Sequence, residues 1–280
     1  MDFQWYPGHM TKAKRMMQEN MKLIDIMIEL VDARIPLSSR NPDIDQLAAN
    51  KSRLILLNKT DMADERVTAQ WEEYFKEKGF YVARTNARSG KGVKGTQAIV
   101  MDACKEKLER DRKRGIKNRP IRAMIAGIPN VGKSTFINSL VGKACTKTGN
   151  KPGVTKGKQW IKLNKNIELL DTPGILWPKF EDQQVGLNLA FIGSIKDELY
   201  NIYELSLLLL DYLIKNYPDA VADFYEIENS DSNNELLERI AIKRGCIKSG
   251  AEYDLDKAAK CLVDDFRNGR IGKISLEIPG

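Results

Sequence analysis

At 280 residues, with 42% hydrophobic and 30% charged content, the chain has the size and composition of a globular protein of two domains. Its four cysteines (Cys104, Cys145, Cys246, Cys261) lack CxxC spacing, which weighs against a zinc site or a disulfide framework. The net charge of +7 is unevenly spread: residues 1–177 carry 33 Lys+Arg against 19 Asp+Glu, residues 178–280 carry 12 against 19, so any acidic partner is expected on the first part, nucleic acid being the commonest.

Residues 1–9 (MDFQWYPGH) set two aromatics beside a Pro-Gly turn and the single histidine, His9, without a signal-peptide profile. Thr11 is placed to cap a helix reaching about Leu23. Residues 24–31 form a nearly continuous apolar run, read as a buried strand, that exits through Asp32-Ala-Arg34; a short helix follows from Asn41-Pro42-Asp43 to Ala49. The next buried run, 53–57, delivers Asn58-Lys59-Thr60-Asp61. An Asp61 carboxylate can accept from the ring N–H and exocyclic amine of guanine together, which adenine cannot offer; Asn58 would bond the base edge and the neighbouring loop, and the Lys59 stem would cover the base. A helix over 66–78 and a third strand over 80–84 lead to Asn86-Ala87, the position of a loop that closes over guanine with a backbone amide. Gly90, Gly92 and Gly95 then precede a long basic helix to about Arg114, and residues 105–119 are the densest basic stretch.

The apolar run 122–126 enters GIPNVGKS, residues 127–134, followed by a helical pattern. This strand–loop–helix order is the setting of a phosphate-binding loop. Triphosphate oxygens need converging backbone N–H groups, here from Asn130 to Thr135 (Val131, Gly132 and Ser134 included), and side chains at the glycines would block them. Lys133 would reach the β/γ-phosphates and the Ser134 hydroxyl would ligate Mg²⁺. Residues 143–158 are rich in Gly, Thr and Lys and contain Thr155, whose hydroxyl can fold onto Mg²⁺. A hairpin over 159–163 and 167–170 ends in Asp171-Thr-Pro-Gly174; Asp171 would hold Mg²⁺ through water and the Gly174 N–H would sense the γ-phosphate. After Trp177-Pro178 the pattern turns to amphipathic helices over 183–199, 203–217, 220–225, 234–243 and 254–268. The longest apolar run, 205–210, is closed by Asp211 and is too short to span a bilayer, so a cytoplasmic protein away from membranes is expected.

All five boxes of a GTPase are present, with NKTD and Asn-Ala ahead of GIPNVGKS, Thr155 and DTPG, the reverse of the Ras-like order. A circular permutation of one parallel sheet accounts for this. Permuted boxes, the WYPGHM segment, VDAR, GIPNVGKS and a helical C-terminal part together resemble the ribosome biogenesis GTPase A family (YlqF/RbgA). The resemblance implies an α/β fold: a circularly permuted Ras-like P-loop GTPase domain over 1–178, with the segment 1–23 included, and an all-α domain over 179–280 that contacts rRNA. It further implies a GTPase acting in late assembly of the large ribosomal subunit, with rRNA and ribosomal-protein contacts. The boxes point to binding of GTP and GDP, and nothing in the sequence points to an obligate dimer, so a monomer is expected.

Two departures bear on mechanism. Ile175 follows DTPG where many GTPases carry a water-orienting glutamine, so unassisted hydrolysis is expected to be slow and His9 becomes the candidate for that task, against the alternative that it packs beside Trp5 and Tyr6. Asn130 resembles the asparagine that ligates K⁺ in cation-dependent GTPases, against a plain tight-turn role. The alternative function is a nucleotide-gated RNA-binding scaffold whose hydrolysis is incidental; an ATPase is disfavoured by Asn58 and Asp61. In the C-terminal part Lys243, Arg244, Lys248, Arg267, Arg270 and Lys273 could form one basic face.

Overall fold

Continuous apolar runs become the strands of a sheet. The computed structural model describes residues 9–116, 119–142, 159–174, 176, 182–248, 250 and 252–280. Ile26–Asp32 (β1) is buried along its whole length. Ser52–Asn58 (β2), Tyr81–Arg84 (β3), Ile121–Ala126 (β4), Gln159–Lys162 (β5) and Ile167–Asp171 (β6) join it in a six-stranded sheet of order β3-β2-β1-β4-β6-β5. Every neighbouring pair is parallel except β5 and β6. Inner strands of a parallel sheet are covered on both faces, so they read as predominantly apolar runs rather than as alternation, with Glu29 of β1 buried among them. All six expected strands are present, their ends moved by at most two residues.

The helices of the sheet unit are His9–Met21 (α1), Asp43–Leu47 (α2), Glu65–Glu77 (α3), Thr96–Ala103 (α4), Lys105–Lys113 (α5) and Lys133–Val141 (α6). Asp64 caps α3, its side chain accepting from the Arg66 and Val67 amides. Trp71 and Phe75 of that helix pack into a cluster with Val31, Ile55 and Leu57 of the sheet. Two expectations change. Thr11 lies inside α1, which begins at His9, so it does not cap it. The long basic helix is two helices broken at Cys104 (φ −106°, ψ 8°); the Cys104 side chain is buried, which turns the chain where no glycine or proline announces it.

Five strand ends meet on one edge. β1 stops at Asp32, β2 at Asn58, β3 at Arg84, β4 at Ala126 and β6 at Asp171. The order reverses between β1 and β4, since the chain runs outward from β1 to β3 and outward again from β4 to β6 and β5. In open α/β sheets ligands bind outside the carboxyl ends of the strands at such a switch point. The phosphate-loop strand is fourth in the chain and central in the sheet, as the permuted Ras-like reading requires.

A second unit lies within Glu181–Ile274. It holds Gln183–Phe191 (α7), a 3₁₀ turn at Asp197–Leu199, Ile202–Asn216 (α8), Ala220–Tyr225 (α9), Asn233–Arg244 (α10) and Leu255–Arg267 (α11). Leu205, Leu209 and Leu213 of α8 are buried, as are Leu237 and Ile240 of α10 and Leu262 of α11. The helix expected over 183–199 stops at Phe191 because Gly193 adopts φ +73° and the Arg267 guanidinium donates to the Ala190 and Phe191 carbonyls, capping the helix end. The expected domain 179–280 also gives up its tail: Ser275–Gly280 belongs to the sheet unit.

Candidate functional site

The phosphate-binding loop is shaped by what its glycines exclude. Between β4 and α6 the chain turns tightly, and a Cβ on Gly127 would stand 2.8 Å from the Leu30 carbonyl oxygen. One on Gly132 would stand 2.6 Å from Asn58 Nδ2, and Gly132 has φ +96°. Asn130 is a non-glycine residue at φ +65°, a left-handed conformation that asparagine tolerates. Lys133 opens α6, with Ser134 and Thr135 in its first turn, where the positive end of the helix dipole lies.

The Lys133 ammonium, 7% exposed, hydrogen-bonds Asp171 Oδ1 at the end of β6, and Asp171 is fully buried. Its other oxygen, Oδ2, is buried with no hydrogen-bond partner among the described residues. A desolvated carboxylate oxygen without a donor is costly, and such an oxygen is the hard ligand type that Mg²⁺ takes. Beyond Asp171, Thr172 Oγ1 donates to the Ile125 carbonyl at 2.8 Å. Gly174 is seated on the phosphate loop: a Cβ there would lie 3.2 Å from Pro129 N.

The NKTD, Asn-Ala and GIPNVGKS loops are joined by one side chain. Asn58, 1% exposed at the end of β2, donates from Nδ2 to the Val131 carbonyl at 2.8 Å. Its Oδ1 accepts from Ala87 N at 3.0 Å and Thr85 Oγ1 at 3.2 Å. The asparagine of NKTD thus ties the Asn-Ala loop to GIPNVGKS, and the Ala87 amide acts through Asn58. Asn86 shapes the same loop, its Oδ1 accepting from Arg88 N and Ser89 N at 3.0 Å each. Thr60 N and Oγ1 both donate to the Thr85 carbonyl. Asp61, next in the turn, is exposed.

Lys59 adopts φ +61° and its ammonium lies 2.9 Å from Asp32 Oδ2. Asp32 is fully buried and is gripped by Arg34, 1% exposed, through Nε and NH2, both at 2.9 Å. Burial alone would raise the Asp32 pKa, but Arg34 and Lys59 outweigh it and hold the carboxyl well below the usual carboxylate range. Burial pushes the Lys59 ammonium down, Asp32 opposes this, and Arg34 adds to it. Anchoring the Lys59 tip at Asp32 fixes the direction of its stem. In sequence, Asp32-Ala-Arg34 has a place as a strand exit and, within VDAR, in the family resemblance, but no role in a buried ion cluster; a buried Asp two residues from an Arg at the end of a central strand is the signal for one.

Other expected residues are not gathered in. His9 is the first residue of α1, but its side chain lies outside the described residues, as do Thr155 and Ile175. The proposed C-terminal basic face is largely committed internally. Arg267 is 14% exposed and pairs with Asp197; Arg244 and Arg270 both pair with the buried Asp265, and Lys243 with Glu226. In the basic stretch 105–119, Lys107 and Arg119 pair with Asp25 and Asp111, while α5 buries no residue.

Residues 122–241 match the family described as 50S ribosome-binding GTPase. A ribosome biogenesis GTPase A of Bacillus cereus is 50% identical over 280 residues, covering 100% of this chain and 95% of that protein. The chain belongs to the ribosome biogenesis GTPase A family. A Thermotoga maritima member is 35% identical over 278 residues, covering 98% of this chain and 94% of its own length. The crystal structure of GNP-bound YlqF from T. maritima aligns with TM-score 0.66 at 30% identity, over 96% of this chain and 98% of that one. The protein is therefore a P-loop GTPase that binds and hydrolyses GTP. Among the described residues no helix is long and apolar enough to cross a membrane.

Proposed function

We propose that this GTPase is a switch of late large-subunit assembly, its turnover stimulated by the ribosomal particle and timing its release. The observation that carries the switch is the triple anchoring of Asn58, which makes the base-binding and phosphate-binding loops one unit; the names of the relatives supply the ribosome. In this reading Asp61 accepts from guanine, the Lys59 stem covers the base beside Thr60, and Asn86 and Ala87 close the loop around it. Amides of residues 130–135 and Lys133 hold the phosphates, and the Gly174 N–H senses the γ-phosphate. Mg²⁺ held by Ser134, Thr155 and, through water, Asp171 would neutralise charge on the β- and γ-phosphates. K⁺ at Asn130 would bring the positive charge that an arginine finger supplies elsewhere. With Ile175 unable to polarise water, His9 orients the attacking water once the particle is engaged, and turnover in its absence is slow. The exposed residues of α5 and the helical unit contact rRNA, and the protein works in the cytoplasm as a monomer.

Phosphate release in KCl and in NaCl, with and without large-subunit precursor particles, tests this reading. Stimulation by the particle, greater in KCl and lost in His9→Ala, is the expected result. Unchanged turnover with GTP-dependent co-sedimentation would favour the nucleotide-gated scaffold instead, as Ile175 suggests; equal rates in the two salts would remove K⁺. A separate expectation concerns the base. Asp61→Asn exchanges an acceptor pair for an acceptor and a donor, so GTP preference should fall by about 10²-fold or more and xanthosine triphosphate should become the better ligand, measured by competition against a fluorescent nucleotide.

A further inference from the structure

The last residues of the chain return to the guanine-binding loop from behind. Ser275 Oγ accepts from the Asp64 amide at 3.1 Å, and Asp64 both caps α3 and lies three residues beyond Asp61. Leu276 N donates to the Arg34 carbonyl at 2.8 Å, the same Arg34 whose guanidinium clamps Asp32 and, through it, Lys59. The Glu277 carboxylate accepts from the Leu37 amide at 2.8 Å, the Ser38 amide at 3.0 Å and the Ser38 hydroxyl. Its carbonyl accepts from Trp71 Nε1 at 3.0 Å. Ser275 and Leu276 are buried, at 1% and 7% exposure. Three consecutive residues therefore fasten the start of α3, into which the loop carrying Lys59 and Asp61 runs, and the exit from β1, the strand beside β2.

The loop needs such fastening. Lys59 is held at φ +61°, and a non-glycine residue in that region persists only where its surroundings over-determine it. Asp61 is exposed in a turn, so its direction depends on where the backbone on either side is fixed. We propose that Ser275–Glu277 is a positioning element of the guanine site, acting on Asp61 and Lys59 through Asp64 and Arg34. This deepens the reading of residues 58–61 as the guanine-binding loop and rests on it. The segment follows directly on Ile274, the last residue of the helical unit.

The test uses the full chain with Glu277→Ala, Ser275→Ala and the conservative Glu277→Gln, which keeps one acceptor oxygen. KM, kcat and the preference for GTP over inosine triphosphate, which lacks the exocyclic amine read by Asp61, are measured for each. Glu277→Ala should raise KM for GTP about tenfold or more while kcat at saturation holds, since a displacement of an ångström in a positioned group costs up to about 10²-fold. It should also narrow the GTP preference, with Glu277→Gln recovering most of both. Ser275→Ala should move both quantities the same way by a smaller factor, and it decides the matter if Glu277→Ala does not fold. Variants that melt at lower temperature with KM and preference unchanged would overturn the proposal, leaving the tail a purely stabilising strap. Asp61→Asn serves as the separate control: if it leaves the base preference untouched, the guanine-site reading fails whatever the tail variants do.

Discussion

Asp32→Ala should destabilise the sheet unit by about 3–5 kcal/mol, the cost of removing one partner from a buried ion cluster. Asp32 is 0% exposed, and its loss leaves the buried Arg34 guanidinium without that carboxylate and the Lys59 tip without its anchor. Urea unfolding followed by tryptophan fluorescence would register this through Trp71, which lies in the core cluster with Val31, the residue before Asp32. The midpoint should fall with the slope unchanged; a shift of less than about 1 kcal/mol would mean the cluster is dispensable. The same group carries an acid dependence of defined sign. Its carboxyl is depressed in the folded state by Arg34 and Lys59 against the opposing effect of burial. A depressed carboxyl contributes stability that is present above its unfolded value of about 3.9 and lost as pH falls below it. Asp32→Asn should lower stability at neutral pH and flatten the loss between about pH 4 and lower values.

Lys133→Ala has the largest expected effect on chemistry. A positioned cation aimed at developing phosphate charge in a buried site is worth about 10²–10³ in kcat, and Lys133 is the buried ammonium at the head of α6. Phosphate release at saturating GTP should fall by that factor. Truncation also leaves Asp171, whose Oδ1 it bonds and whose Oδ2 has no partner among the described residues, as a buried carboxylate without a countercharge. The variant should therefore also unfold at lower temperature, and Mg²⁺ with GDP should recover more of that loss than GDP alone. Turnover within about threefold of wild type would remove Lys133 from the phosphate site.

Much of this was legible because the signals were local. The six strands announce themselves as apolar runs, and NKTD, GIPNVGKS and DTPG each sit directly at a strand end, where spacing alone gives register. What escaped depends on contacts distant in the chain. Gly193 was the local signal that the helix over 183–199 must stop early, but the guanidinium of Arg267 that caps it at Phe191 lies 76 residues on. The break at Cys104 comes from burial rather than from a helix-breaking residue. Arg267, Arg270 and Arg244 look like a basic face in sequence but are engaged by Asp197 and Asp265. Asp32 and Arg34 reveal themselves as a cluster only when Lys59 is brought beside them. The tail residues 275–277 have no periodicity to read, and their partners Asp64 and Leu37 are 211 and 240 residues away.

The triple anchoring of Asn58 has a consequence for how the chain is made. In this permuted order the base-reading strands β1 to β3 leave the ribosome before the phosphate loop. Asn58 can take up its contacts with Thr85 and Ala87 early, but its Nδ2 waits for the Val131 carbonyl, 73 residues later. At synthesis rates of 5–20 residues per second that interval is about 4–15 s. Until it ends, a polar side chain destined for burial lacks one of its acceptors, and the nascent protein can hold neither phosphate nor a fully ordered base site.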